Sequence, residues 1–192
     1  MRISGGVHRS RQLVSPRGEA TRPTSDRVRE ALFSILDSRG AIAGARVIDF
    51  YAGTGALGLE ALSRGAAHAT FVENDRRALE ALARNIDALR ERPRTRVVPQ
   101  AVARAAVTLA GEGATLVFCD PPYADVTRAE GVAKLLGALE ADGVLRDGAL
   151  VVLEHATRDK LSLPTGAKLL ADDTRAYGDT TLSFYVYTHA TP

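Results

Sequence analysis

Apolar positions change their spacing repeatedly along this chain, and each change predicts an element. Val28, Ala31, Leu32, Ile35 and Leu36 recur at helical intervals behind Thr24 and Ser25, either of which can cap a helix running to about Ser38. Val47-Ile48-Asp49-Phe50 then reads as a strand, Leu57–Ser63 as a helix and Ala69–Glu73 as a strand. Arg76–Arg90 reads as a helix with Leu79, Leu82, Ile86 and Leu89 on its apolar side. Thr95–Val98, Thr115–Cys119 and Leu150–Glu154 predict further strands, and Val102–Ala110 and Val132–Leu139 further helices. Lys168–Leu170 and Leu182–Tyr187 predict an antiparallel pair turned near Tyr177-Gly178-Asp179, whereas residues 1–23, punctuated by Gly, Arg and Pro, read as a hairpin or extended arm. Strands alternating with helices call for an α/β fold: a doubly wound, mostly parallel sheet with antiparallel strands added at one edge. Ligands in such sheets bind beyond the carboxyl ends of the strands, where the strand order reverses.

The strand ends carry the candidate chemistry. The first strand runs into Asp49-Phe50-Tyr51-Ala52-Gly53-Thr54-Gly55-Ala56-Leu57-Gly58. Gly53 and Gly55 allow a tight turn and a close backbone approach to a ligand, and the following helix offers unpaired N–H groups. Glu73 closes the second strand, where a carboxylate can take both ribose hydroxyls of an adenosine. Strand, glycine loop, helix and acid together indicate an adenosine-type cofactor. A nicotinamide dinucleotide fits this pattern too, but two features favour S-adenosylmethionine. Asp49 lies where it can anchor the amino end of a methionine moiety. The second is Asp120-Pro121-Pro122-Tyr123, directly after the strand Thr115–Cys119.

That tetrapeptide is suited to clamping a flat amine. The Asp120 carboxylate and the Pro121 carbonyl can accept both hydrogens of an exocyclic NH2, and beyond Pro122, the second proline, the Tyr123 ring can stack on the base. The blander alternatives are a helix cap for Asp120 and a packed strand-end aromatic for Tyr123. Methyl transfer from a sulfonium releases a neutral thioether and needs no metal, and no cluster with metal-ligand spacing is present.

Composition narrows the setting. The chain is 192 residues long, 45% apolar and 25% charged, which suits one globular domain. It has no apolar run of membrane-spanning length and no apolar signal core. Residues 1–18 hold four arginines and no acid, as a transit peptide does, but their glycines and Pro16 oppose an amphipathic helix. Cys119 is the single cysteine, so no disulfide framework exists; it reads as a small core residue, and the expected location is the cytoplasm. Net charge is only +2 but uneven: residues 1–30 carry seven arginines against Glu19, Asp26 and Glu30, while the remainder carries 18 basic and 20 acidic residues. A basic arm on a near-neutral body suggests a polyanion held from one end. Arg9, Arg11, Arg22, Arg27 and Arg29, with Thr24 between them, are the candidate contacts to that polyanion, which the resemblance described below implies is RNA. Arg27 and Arg29 lie two apart on one helix and cannot share a face.

These motifs bring a family into view. Met1-Arg2-Ile3-Ser4-Gly5-Gly6, the block Thr21-Arg22-Pro23-Thr24-Ser25-Asp26-Arg27-Val28-Arg29-Glu30-Ala31-Leu32-Phe33, the loop from Asp49 to Gly65 and Tyr177-Gly178-Asp179-Thr180 together resemble the RsmD family of bacterial small-subunit rRNA guanine-N2 methyltransferases, over nearly the whole chain. The resemblance implies a Rossmann-like class I methyltransferase with a seven-stranded sheet over residues 39–192, preceded by an RNA-contacting arm and helix over residues 1–38. It implies S-adenosylmethionine held by Asp49, Phe50, Tyr51, Gly53, Thr54, Gly55, Glu73, Asn74, Gln100 and Ala101. It implies one guanine of the 16S rRNA, in the small ribosomal subunit, as substrate. Phe50-Tyr51 and Thr54 stand where the family pattern has Leu-Phe and Ser. Gln100-Ala101 stands where an acid near the adenine is expected, and the Gln100 amide can bond the adenine edge instead. Rival readings are adenine-N6 methylation of DNA or RNA, glutamine-N5 methylation of a protein, an NAD-dependent oxidoreductase, and an idle ribosome assembly factor. A monomer is the default.

Overall fold

A computed structural model describes residues 1–15, 26–121, 135, 139–140, 143–159 and 168–189. Its elements are α1 (Asp26–Ser38), β1 (Arg46–Phe50), α2 (Ala56–Ser63), β2 (His68–Val72), α3 (Arg76–Leu89), a 3-10 turn (Arg92–Arg94), β3 (Thr95–Val98), α4 (Val102–Thr108), β4 (Ala114–Cys119), β5 (Leu145–Ala156), β6 (Leu169–Tyr177) and β7 (Thr180–Tyr187). The seven strands form one sheet in the order β3-β2-β1-β4-β5-β7-β6. β3, β2, β1, β4 and β5 pair in parallel, while β7 enters antiparallel between β5 and β6. The order reverses between β1 and β4, whose last residues, Phe50 and Cys119, lie side by side. A crevice therefore opens beyond those two ends.

Both sheet faces are covered, and the strands divide their side chains between them by simple alternation. Val47, Leu116, Phe118, Leu150 and Val152 face a core completed by α1, α2 and α3. Ile48, Phe50, Val117, Cys119 and Val151 face a second core with Val102 and Ala105 of α4, with Leu109 just after it, and with Leu135 and Leu139. Those two leucines are the described part of the helix expected over Val132–Leu139. The α3 helix buries Ala78, Ala81, Leu82, Asn85, Ile86 and Leu89, a stripe at helical spacing that leaves Leu79 only half-buried. Asp75 caps it by accepting the Ala78 N–H at 2.8 Å.

Residues 1–13 form a small hairpin. Arg2 and Gln12 bridge antiparallel, Ile3 N–H donates to Arg11 O at 2.9 Å, and Ser10 N–H donates to Ile3 O at 2.9 Å. Ile3 and Leu13 are buried in the same core as Val28, Leu32, Phe33 and Leu36 of α1. The described part of the N-terminal region thus shares the core of the sheet domain. The expected cap at Thr24 or Ser25 lies outside the described residues. Two strands exceed their expected lengths. β5 begins at Leu145, ahead of the polar Arg146-Asp147-Gly148, and β6 continues through Asp172-Asp173-Thr174-Arg175 to Tyr177. The latter is the sheet edge, where exposed charges blunt unwanted pairing and erase the apolar alternation that marks an inner strand.

Candidate active site

Five of the predicted residues converge on the crevice at the carboxyl edge. Asp49 is buried within β1, and its Oδ2 accepts the Gly58 N–H at 2.9 Å. Burial pushes its carboxyl up to about 8. The Gly58 hydrogen bond opposes that rise, and the nearby charges of Asp120 and Glu73 add to it. Glu73, one residue past β2, reaches back to the loop after β1: its Oε2 accepts the Gly53 N–H at 2.8 Å. Its Oε1 accepts the N–H groups of Asn74 and Asp75, at 2.7 and 2.8 Å. An ionised carboxylate has about four lone-pair sites, so Glu73 braces the loop and retains acceptor capacity. Asp120 and the buried Pro121 follow β4 directly. Pro122 and Tyr123 lie outside the described residues.

The loop itself turns sharply. Gly55 N–H donates to Ala52 O at 2.7 Å, and Tyr51, Gly53 and Gly55 all take positive φ, at 57°, 54° and 79°. A positive φ is costly for tyrosine and marks a strained turn of the kind found at ligand sites. Gly53 and Gly55 serve different ends. Among the described residues, a Cβ on Gly53 would meet only the Tyr51 carbonyl oxygen, at 3.9 Å, so its outer side is open. A Cβ on Gly55 would lie 2.4 Å from Leu82 Cδ1. Gly53 leaves room for a ligand; Gly55 lets α3 pack against the loop. Gly58, unremarked from the sequence beyond its place in the glycine pattern, would put a Cβ 2.4 Å from Phe71 and supplies the N–H that Asp49 accepts.

Other predicted contacts are distributed differently. Phe50 is buried in the core facing α4, so only its backbone borders the crevice. Thr54 is buried and points its carbonyl at Asn85 Nδ2, 2.9 Å away. Asn74 is exposed beside Glu73. Gln100 and Ala101 follow β3 at the same edge, and the Gln100 amide oxygen accepts the Thr108 hydroxyl at 3.1 Å. Burial, with Asp49 and Asp120 nearby, pushes the Cys119 thiol far above its usual range, which leaves it a core residue.

The basic arm divides more sharply. Arg9, Arg11 and Arg27 are exposed, and Arg11 Nη2 donates to Ala88 O at 2.9 Å. Arg22 and Thr24 lie outside the described residues. Arg29 is a correction to the sequence reading: it is only 2% exposed and is spent inside the protein. Its guanidinium reaches Arg2 O at 2.6 Å, Asp26 Oδ1 at 3.0 Å and Glu60 Oε2 at 3.9 Å. It occupies the helical stripe of Leu32, Phe33 and Leu36, which faces the core, so it cannot contact RNA.

Sequence reasoning missed Glu60 and Asn85. Glu60, fully buried on α2, accepts Ser4 N–H at 2.7 Å, Ser4 O–H at 2.8 Å, Gly5 N–H at 2.8 Å and Arg64 Nε–H at 2.8 Å. Asn85 is the polar member of the buried stripe of α3. The available signal for each was a polar residue at an apolar helical position.

Comparison with known proteins agrees with this geometry. Residues 1–186 match the family described as conserved hypothetical protein 95. The ribosomal RNA small subunit methyltransferase D of Escherichia coli (strain K12) is 40% identical over 165 residues, covering 86% of this chain and 78% of its own length. The solved structure of yhhF from Escherichia coli superposes with a TM-score of 0.81 at 36% identity and 99% coverage of both chains. An RNA methyltransferase from Salinibacter ruber in complex with S-adenosyl-L-homocysteine shares the fold, with a TM-score of 0.62 at 16% identity and coverage of 88% of this chain and 96% of that one. The architecture is the class I methyltransferase fold, as the sequence led us to expect. On the family match and the 40% identity, the chain belongs to the RsmD family, that of conserved hypothetical protein 95.

Proposed function

We propose that the protein is an S-adenosylmethionine-dependent rRNA methyltransferase that places one methyl group on the exocyclic N2 of a guanine in the 16S rRNA of the small ribosomal subunit. The observation that carries the reading is buried Asp49 with the acids Glu73 and Asp120 close enough to raise its carboxyl, at the β1/β4 switch point beside the open side of Gly53. Such a crevice suits a cofactor bearing ammonium and sulfonium charges. It repels the paired phosphates of a nicotinamide dinucleotide, which argues against an oxidoreductase. The residues fit the cofactor as follows: Asp49 answers the amino group, Glu73 the ribose hydroxyls, and Gly53 gives the backbone close approach. Bound there, the cofactor supplies an electrophilic methyl carbon on a sulfur that leaves as a neutral thioether.

The protein's own task is the nucleophile. The lone pair of a guanine N2 is delocalised into the ring. Asp120 accepts one N–H and the Pro121 carbonyl the other, so the nitrogen is held more pyramidal with its lone pair directed at the methyl. The proton displaced from N2 passes to the Asp120 carboxylate or to water. Tyr123 stacks on the base, which must leave its own helix or loop to enter the crevice. Arg9, Arg11, Arg22 and Arg27 contact phosphates and hold the RNA in register.

The test is methyl transfer from tritiated S-adenosylmethionine to small subunits from cells lacking this gene, followed by nucleoside analysis, with Asp120→Ala alongside. We expect N2-methylguanosine from the wild type and at least about a hundredfold less from Asp120→Ala. Label in N6-methyladenosine would keep the amine clamp and overturn the guanine assignment. No transfer to subunits or to free RNA would reject an RNA substrate.

A further inference from the structure

Asn85 is 1% exposed, and its side-chain amide is almost wholly committed. Oδ1 accepts the Val14 N–H at 2.7 Å, and Nδ2 donates to Val14 O at 3.0 Å and to Thr54 O at 2.9 Å. The network fixes the amide orientation, because two carbonyl acceptors require the nitrogen and one N–H requires the oxygen. Toward Val14 the amide behaves like one residue of a neighbouring strand, closing both backbone groups of a half-exposed residue at once. Toward Thr54 it holds the carbonyl between Gly53 and Gly55, two of the three residues whose positive φ makes the turn. Val14 directly follows the hairpin and precedes the Thr21-Arg22-Pro23-Thr24 block in sequence. One buried side chain therefore joins three separate parts: the arm, the cofactor loop and α3.

We propose that Asn85 is a positioning residue that links the basic arm to the cofactor loop, so that the arm's hold on RNA and the loop's hold on the cofactor stabilise one another. The inference rests on the function proposed above for the consequence it draws, namely RNA at one end and cofactor at the other. The link itself is a property of three hydrogen bonds. A buried polar group is costly to leave unpaired, so the amide favours states in which both ends are docked. A coupling of this kind is reciprocal: cofactor binding orders the arm by the same factor that the ordered arm favours cofactor binding.

The experiment uses the full chain and S-adenosylhomocysteine as the probe, without RNA. Asn85→Asp keeps the acceptor for the Val14 N–H and removes both donors; Val14→Pro, at a site far from the chemistry, removes the N–H that Asn85 accepts. We expect each to weaken S-adenosylhomocysteine binding in calorimetry on the order of tenfold, and the double variant to be no worse than the weaker single. We also expect the ligand to slow hydrogen exchange at the Val14 amide in the wild type and not in Asn85→Asp. A purely local role would leave Val14→Pro binding like the wild type, or make the two losses add, and either result overturns the link. So would unchanged Val14 exchange on ligand addition. If Asn85→Asp yields too little folded protein, Val14→Pro and the exchange measurement decide alone. Failure of the wild type to bind the probe would instead sink the cofactor reading, and this inference with it.

Discussion

Two buried carboxylates, eleven positions apart in the chain, show how a candidate site differs from a scaffold. Glu60, on α2, accepts two backbone N–H groups, a hydroxyl and the Arg64 guanidinium, with the Arg29 guanidinium at 3.9 Å. Asp49, on β1, accepts one N–H from Gly58 and has the acids Asp120 and Glu73 as charged neighbours. The chain has satisfied the first with its own donors. The second it has set among like charges, an arrangement that becomes favourable only when something cationic arrives. Burial alone does not mark function; the sign of the surrounding charge does.

The largest effect expected from breaking this contrast is on the scaffold side. Glu60→Ala removes the acceptor of Arg64 Nε–H and the buried carboxylate beside Arg29, and frees the hairpin backbone at Ser4 and Gly5. Removing one member of a buried pair costs about 3–5 kcal/mol, and chemical denaturation should show a loss of that size. Glu60→Gln keeps one acceptor oxygen and should lose less. Asp49→Asn should do the opposite. It removes a carboxylate that the fold penalises and leaves an amide oxygen for the Gly58 N–H, so the ligand-free protein should gain stability at alkaline pH. S-adenosylmethionine should bind roughly tenfold to a hundredfold more weakly, as expected for the loss of a charge-assisted contact in a desolvated site. Equal affinity in Asp49→Asn and wild type would show that Asp49 does not answer the cofactor's amino group.

The placement of much of the candidate site was legible, and for a local reason. Turn residues, glycine pattern and acid at a strand end lie within a few positions of each other, so Asp49, Gly53, Gly55, Glu73 and Asp120 could be read off the ends of apolar runs. β1, β2, β4 and the inner part of β5 were found the same way, because inner parallel strands are largely apolar. The scaffold side was opaque because its partners are distant. Glu60 meets Ser4 across 56 positions of sequence, and Asn85 meets Val14 across 71. Arg29 looked like one more basic residue of the arm until Glu60 and Arg2 closed around it. The length of β6 beyond Leu170 escaped for a third reason: an edge strand carries charges where an inner strand carries valines.

The comparison also has a pH signature. The Asp49 carboxyl is raised from 3.8 to about 8, so between those values the folded chain holds a proton that the unfolded chain has released. Stability contributed by this group is therefore full below the lower value, falls as pH rises through the window and levels off above about 8. Stability curves of wild type and Asp49→Asn should diverge from pH 5 to pH 8, with the variant the flatter. A cationic cofactor draws the carboxyl back down, so binding at pH 7 should release about one proton. Calorimetry in buffers of different ionisation enthalpy measures that number directly. No release would mean that Asp49 is already ionised in the ligand-free protein, and the contrast with Glu60 would lose its electrostatic basis.

The smallest expected effect separates the two arginines that flank Val28. Arg27 is exposed and Arg29 is not. If Arg27 holds one RNA phosphate, Arg27→Ala should leave the melting temperature where it is. It should lower the slope of log affinity against log salt by roughly 0.7 to 0.9, the value of one phosphate contact. The loss should be the same for RNAs of different sequence, since a phosphate contact carries no base information. Arg29→Ala should do the reverse: it removes one of the two guanidinium groups beside Glu60 and loosens Arg2, so it destabilises the fold while the salt slope of the remaining folded protein keeps its wild-type value. An Arg29 variant with normal stability and a shallower salt slope would exchange the two roles. It would place the buried cluster around Glu60 on the RNA side of the molecule and remove the distinction between scaffold and site on which the comparison rests.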